Sequence, residues 1–357
     1  ILSGNITRMK FLGKAFLMAS IISAAAAFLS PKSWASYILG TRAPLCTVWG
    51  RQGPAFCNVS HMEGFLKRVD ECNIPLEEGK ETPLPFFVAG VQVGQIHQEH
   101  VKRLKQFPDA FTVKDGVDVK LNEKLDTFDL RTKAFDTVNR KLAEEGVITG
   151  WREEPYAVSA EFGTPPLATT ERASAGLYGI MSYGVHINGY VEGADGTLRM
   201  WVARRSASKP TWPGCLDQVV AGGQPHGVQP GDNVLKECME EANIPRELAQ
   251  AALPTGVVAY QCQRPGGRTS REIIFTYDLK LPEGFVPENN DGEVDEFMLW
   301  PLDKVAESIA SDGGEWKPNC CLVAIDFMIR HGFITPEQPG YMRLLHGLRA
   351  GVSAAIN

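Results

Sequence analysis

Residues 221–244, AGGQPHGVQPGDNVLKECMEEANI, decide how the chain is read. A glycine pair and a loop lead into a run with few helix breakers, which Asn243 and Pro245 bring to an end near Ala242. Asp232 is the residue type expected at the N-cap of that helix. Along it Glu237, Glu240 and Glu241 stand at i, i+3 and i+4, so the three carboxylates share one face and repel one another by roughly 0.2–0.5 kcal/mol per pair. A cation would remove that penalty, and magnesium is commonly held by a few carboxylates together with substrate phosphates and waters. Spacing alone leaves two readings open, a solvated acidic face and a metal site.

The order of the whole stretch resembles the Nudix box, G-x5-E-x7-R-E-U-x-E-E-x-G-U with U aliphatic, laid from Gly222 to Ile244. Gly222, Glu237, Glu240, Glu241 and Ile244 match in register, and Cys238 serves as an apolar U. Val228 stands where the first Glu is expected, Lys236 where the Arg is expected, and Asn243 where the late Gly is expected. Lys for Arg replaces a planar fork by a point charge, which changes how Glu237 is oriented. Asn is the usual stand-in for Gly where a helix ends left-handed. The resemblance implies Mg2+ or Mn2+ on Glu237, Glu240 and Glu241, and an α/β fold of the Nudix type, an α/β/α sandwich with a mixed sheet.

The chain of 357 residues is long enough for two domains, and 44% hydrophobic with 22% charged residues is a globular composition. No basic excess points to nucleic acid. Eight cysteines are scattered without a CxxC pair, which supports neither a zinc site nor a disulfide scaffold. No acid precedes Glu63, while six basic residues do, leaving 30 basic against 42 acidic residues in the remainder. Met9, Lys10 and Lys14 lead an apolar run ending in small residues before Phe28, as in a signal peptide. The basic, acid-free FLSPKSWASYILGTRAPL after it is transit-like. Residues 1–62 therefore resemble the two-part presequence of plastid proteins in algae with secondary plastids. The alternative is plain secretion, and no stable membrane span is expected once the presequence is removed.

Downstream, HMEGFLKRVDECN has helical spacing, PFFVAGVQVGQI and FTVKDGVDVKL read as hairpins, and RTKAFDTVNRKLAEEG as a helix ended by Gly146. These make a smaller α+β domain over residues 63–165, with a boundary at Gly163-Thr-Pro-Pro. Residues 166–335 are expected to form the Nudix-type domain that the resemblance implies. They comprise a hairpin about Asp195-Gly196, the acidic helix, the strands GVVAYQCQR and REIIFTYDLKL, a further strand and helix, and a core helix CCLVAIDFMIRHG. Residues 336–357 form a helical tail.

Outside the box, FFVAGVQVGQI, FPDAF, WREEPYAV, ERASAGLYGIMSYGVHINGYV, YDLKLPEGFVP with DGEV, and WKPNCCLVAIDFMIRHG resemble the thiamine-pyrophosphokinase-related Nudix branch, which carries an extra N-terminal domain. The resemblance implies hydrolysis of thiamine diphosphate or its oxidised analogues to the monophosphate and phosphate. A nucleoside diphosphate derivative such as ADP-ribose, or non-catalytic diphosphate binding, are the alternatives. It implies Glu293 of DGEV as a further ligand or the base, with Glu296 as alternative. Substrate contacts are expected from Gly222, Gly223, Arg204, Lys317, His186 and Asn188, the last two sharing one strand face. Tyr178, Tyr183 or Trp212 is expected to stack on the ring. The partner is a small-molecule diphosphate, and the oligomeric state is open.

Overall fold

The computed structural model describes residues 59–75, 82–264, 266–311 and 313–352. The presequence expected over residues 1–62 lies outside them up to residue 58. Helix α1 (Val59–Cys72) buries Met62, Phe65 and Val69 on one face, as their spacing requires. Strands β1 (Leu84–Val88) and β2 (Val91–Ile96) form the first hairpin, turning on Ala89 and Gly90, both at positive φ. Helix α2 (Gln98–Leu104) follows, and β3 (Phe111–Lys114) with β4 (Asp118–Leu121) completes a four-stranded sheet in the order β2-β1-β4-β3. Helix α3 (Phe128–Glu144) is capped by the Thr127 hydroxyl, which accepts from the Leu130 N–H at 3.3 Å. It buries Phe135, Val138 and Leu142 in the same core as Phe86 and Phe111.

Strands β5 (Pro155–Val158) and β6 (Ala168–Glu171) pair with each other across Gly163-Thr-Pro-Pro. Because both bury side chains in the first core, that core runs on through the short α4 (Ala175–Tyr178) to Ile180. The proline segment is thus a loop within this core, where the sequence suggested a boundary. Tyr178 is its centre. Its ring lies 5.7 Å from Phe86, 5.9 Å from Phe111 and 5.1 Å from Phe135, and its hydroxyl donates to Asn139 Oδ1 at 2.8 Å. Burial raises the phenol pKa, and so buried a ring cannot stack on a substrate.

The second layer system comprises β7 (Met181–Glu192), β8 (Leu198–Arg205), β9 (Leu216–Gln218), β10 (Val220–Gly223), α5 (Pro230–Ala242), α6 (Arg246–Ala249), β11 (Leu253–Arg264), β12 (Arg268–Lys280), β13 (Val294–Pro301), α7 (Leu302–Ala310), α8 (Pro318–Arg330) and α9 (Tyr341–Gly347). Its seven-stranded sheet follows the order β11-β12-β7-β8-β13, with β10 on β7 and β9 on β8. The β7–β12 pairing is parallel and the others are antiparallel, so the sheet is mixed. One face packs on α1, α7, α8 and α9, the other on α5 and α6. This is an α/β/α sandwich preceded by a smaller α+β unit.

Strands β7 and β8 pair directly only at Tyr190–Glu192 with Leu198–Met200. Beyond that they take separate partners, β10 and β9, and α5 descends from this opening. Helix α5 starts at Pro230, with Gln229 as N-cap, so Asp232 lies in the first turn instead of capping it. Proline's fixed φ suits the first helical position and moves the N-cap three residues early, from Asp232 to Gln229. The end is as expected, with Asn243 left-handed at φ 49° and ψ 33°.

Candidate active site

Helix α5 buries Val234, Cys238 and Ala242, spaced by four, in the core it shares with Val185, Ile187 and Val220. That stripe turns the adjacent acid face towards β10 and into a cleft of about 950 Å3. Glu241 is nearly buried, and one of its oxygens accepts the Ala221 N–H at 2.8 Å. The Glu237 carboxylate lies against Gly222, where a Cβ would come within 2.3 Å of its Cδ. Gly223 is equally constrained, since a Cβ there would meet the Tyr156 hydroxyl at 2.4 Å and Arg172 at 2.7 Å. Both glycines act by letting groups approach.

Lys236 Nζ stands between two of the acids, 3.3 Å from Glu237 and 2.9 Å from Glu240. Burial raises the Glu237 pKa against the pull of Lys236. Burial pushes Glu241 further up, with Glu237, Asp217 and Glu293 adding negative potential. This is a charge-crowded pocket, and the sequence's Lys-for-Arg exchange is what places a point charge within reach of both Glu237 and Glu240.

Glu293 faces the same cleft from the loop before β13 and is ion-paired to Lys209. Glu296, its alternative, lies outside the cleft with Arg204, 4.0 Å away. The remaining wall is basic and anchored by buried Asp217. That carboxylate accepts from Arg205 Nη1 at 2.9 Å, lies 3.4 Å from Lys317 Nζ, and accepts from Cys320 Sγ at 2.7 Å. Burial opposes its charge, yet Lys317, His186 and Arg205 hold its pKa below the usual range. Arg205 also donates to the carbonyls of Thr211 and Trp212, both at 3.1 Å, fixing Trp212 at φ 52°. The Trp212 indole, half exposed, borders the cleft with the Arg264 guanidinium 5.8 Å over its ring.

Several expected contacts lie elsewhere. Arg204 projects from the opposite side of β8 and donates to the Gly214 carbonyl at 3.1 Å, while its neighbour Arg205 enters the cleft. His186 and Asn188 do share a face of β7, but it is the face packed on α8. The His186 Nδ1 is 2.7 Å from Gln218 Oε1, and burial lowers its pKa to about 4. Asn188 donates to Asp278 Oδ1 at 3.2 Å. Neither lines the cleft, where the sequence suggested they would contact the substrate. Tyr183 instead lines a separate small cavity, where its ring packs tilted against Phe162 at 4.8 Å. Of the three aromatic candidates only Trp212 borders the acids. His186, Asp217 and Cys320 bring ligand atoms within 4.8 Å of one another, but Asp217 is already neutralised by two cations, whose field opposes a metal ion there.

Comparison with known proteins shows the family. A NUDIX domain model matches residues 183–320, and a Domain of unknown function (DUF4743) model matches residues 64–182. The chain is 44% identical over 300 residues to "Nudix hydrolase 24, chloroplastic" of Arabidopsis thaliana, covering 82% of this chain and 80% of that protein. The chain belongs to the Nudix hydrolase family. It is also 43% identical over 310 residues to "Nudix hydrolase 20, chloroplastic" of the same plant, covering 83% of this chain and 80% of the relative. Among solved structures, the C. elegans Ap4A hydrolase binary complex is 14% identical with a TM-score of 0.32, over 42% of this chain and 98% of that chain.

As a Nudix hydrolase the protein acts on diphosphate bonds, and enzymes of the family generally use a divalent metal. The residues present fit one. Carboxylate oxygens are the donors such an ion takes, the Lys236 ammonium already occupies a cation position between Glu237 and Glu240, and Gly222 leaves the space that the Glu237 carboxylate fills. Val228, in place of the first box Glu, borders the small cavity near Tyr183 and not the acid cleft. The sequence reading missed Arg205, Asp217, Lys209 and the Tyr260–Glu272 pair, in which the buried phenol donates to the carboxylate at the cleft floor.

Gly222→Ala tests the close approach. The clash is with the far end of a flexible side chain, so the unfolding midpoint should barely move. Displacement of Glu237 should lower metal-dependent turnover by about 10–100-fold, as loss of a ligand's orientation does. Wild-type turnover in this variant would show that Glu237 is not needed where it stands.

Proposed function

We propose that this Nudix hydrolase cleaves thiamine diphosphate or its oxidised or damaged analogues to the monophosphate and phosphate, using Mg2+ or Mn2+. The supporting observation is the single cleft that gathers Glu237, Glu240, Glu241 and Glu293 on one side and Arg205, Lys317 and Trp212 on the other. Glu237, Glu240 and Glu241 would hold the metal, which when bound neutralises diphosphate charge and acidifies the attacking water. Lys317 faces the phosphate oxygens, and Trp212 offers a plane to an aromatic ring. Glu293, oriented by Lys209, accepts the proton as water attacks phosphorus and the bridging P–O bond breaks. Gly222 and Gly223 let the chain come close to the acids and to Arg172. The stretches shared with the thiamine-related branch favour this substrate over ADP-ribose, the runner-up.

The decisive assay is monophosphate release from thiamine diphosphate, its oxo analogue and ADP-ribose at fixed magnesium. The expected outcome is highest kcat/KM on a thiamine compound, complete loss with chelator, and a fall of orders of magnitude in Glu240→Gln and Glu241→Gln with the fold intact. Activity on ADP-ribose alone would replace the substrate, and near-normal activity in both variants would remove these acids from the metal site.

Plastid delivery is the proposed localisation. It rests on the acid-free basic N-terminus and on the word "chloroplastic" in the names of both plant relatives. Among the described residues no helix is long and apolar enough to cross a membrane. Fusing residues 9–51 to a fluorescent protein should direct it to the plastid, and Phe28→Ala should strand it in the secretory route. Plastid delivery of the chain lacking this segment would contradict the proposal.

A further inference from the structure

Beyond Glu272 the acid cleft continues into a second cavity of about 800 Å3, where α2 and the end of α3 meet the β11–β12 hairpin. Arg172, Arg264, Ser270 and Glu272 line both spaces. The hairpin register makes Arg264 and Arg268 direct cross-strand partners, and like charges so placed destabilise a sheet. Arg268 donates to the Val147 carbonyl at 2.6 Å and Arg264 lies over Trp212. Among the described residues neither guanidinium forms an ion pair.

The carboxylates nearby are largely committed. Glu99 is paired with Arg103 at 3.5 Å, and Glu272 accepts from Tyr260 and from Asn319. Glu145 is the remaining acid of the lining. His100, also in the wall, is 2% exposed; burial lowers its pKa, and the Gly266 backbone is a polar neighbour. A cavity with two cross-strand guanidinium groups, neither of them ion-paired among the described residues, is built for a negative ligand.

We propose that this cavity is an anion subsite in which Arg264 and Arg268 hold a phosphate-class group other than the diphosphate being cleaved. Guanidinium forks suit such oxygens, and one anion between the two removes their repulsion. The anion is either a second acidic group on the substrate's far end or a free anion bound beside the substrate. A thiamine-type substrate has no second acidic group, and with it the free anion applies. The inference holds whichever diphosphate is hydrolysed.

Inorganic phosphate is the probe, titrated into the full chain without divalent metal. Saturable binding and a raised unfolding midpoint are expected for the wild type and for Glu240→Gln. Arg268→Gln and Arg264→Gln should each weaken binding at least tenfold; among the described residues the Arg264 guanidinium donates to no backbone carbonyl, so its variant carries the test if loss of the Val147 contact weakens the fold. During turnover, phosphate that competes with substrate in the wild type but not in the arginine variants would assign the cavity to the substrate's far end. Phosphate that alters kcat without competing would assign it to a free anion. No binding to the wild type, equal binding to both arginine variants, or loss confined to Glu240→Gln would overturn the proposal.

Discussion

The contact on which the site depends is that of helix α5 with strand β10. Burial of Val234, Cys238 and Ala242 fixes the helix by ordinary apolar packing, at roughly 25 cal/mol per Å2 removed from water. Once fixed, the helix cannot turn Glu237 and Glu241 to solvent, while Glu240 stays half exposed. Glu241 must then satisfy itself on the Ala221 N–H, and Glu237 must lie against a residue without a side chain. Packing thus supplies the energy that holds carboxylates together against their repulsion, and burial raises the pKa of two of them. Lys236 offsets only part of that charge.

The facing wall solves the opposite problem. Arg205 and Lys317 are nearly buried cations, affordable only because Asp217 sits between them, itself hydrogen-bonded by Cys320. Removing Asp217 would leave two charges uncompensated, so this trio is structural support for the cleft as much as recognition of the substrate. The first core contributes as well: Tyr156 and Arg172 reach Gly223, so the cleft is closed by residues from both cores.

Much of this was legible in the sequence. Three acids at i, i+3 and i+4 beside an apolar stripe define both a helix and its orientation, and Asn243 marks its end. Both N-terminal hairpins follow from alternation and turn residues, whereas the mixed sheet was implied by the Nudix resemblance. What was not legible depends on side and register. Arg204 and Arg205 are adjacent on one strand, and choosing the inward one needs the partner β9, whose short run carries no strong signal of its own. His186 and Asn188 were correctly placed on one face of β7, but which layer that face meets is decided by the helices packed on it. Glu272 became visible only when the hairpin folded back over Tyr260. The core's extension past the Gly163 loop depends on β5 pairing with β6, four-residue strands too short to announce themselves.

The central claim is that the α5 acid face is a divalent-cation site. Calorimetric titration of the full chain with manganese, without substrate, tests it most directly. Saturable binding that vanishes in Glu241→Gln and competes with magnesium is the expected result; no saturable binding, or binding unchanged in that variant, would contradict it.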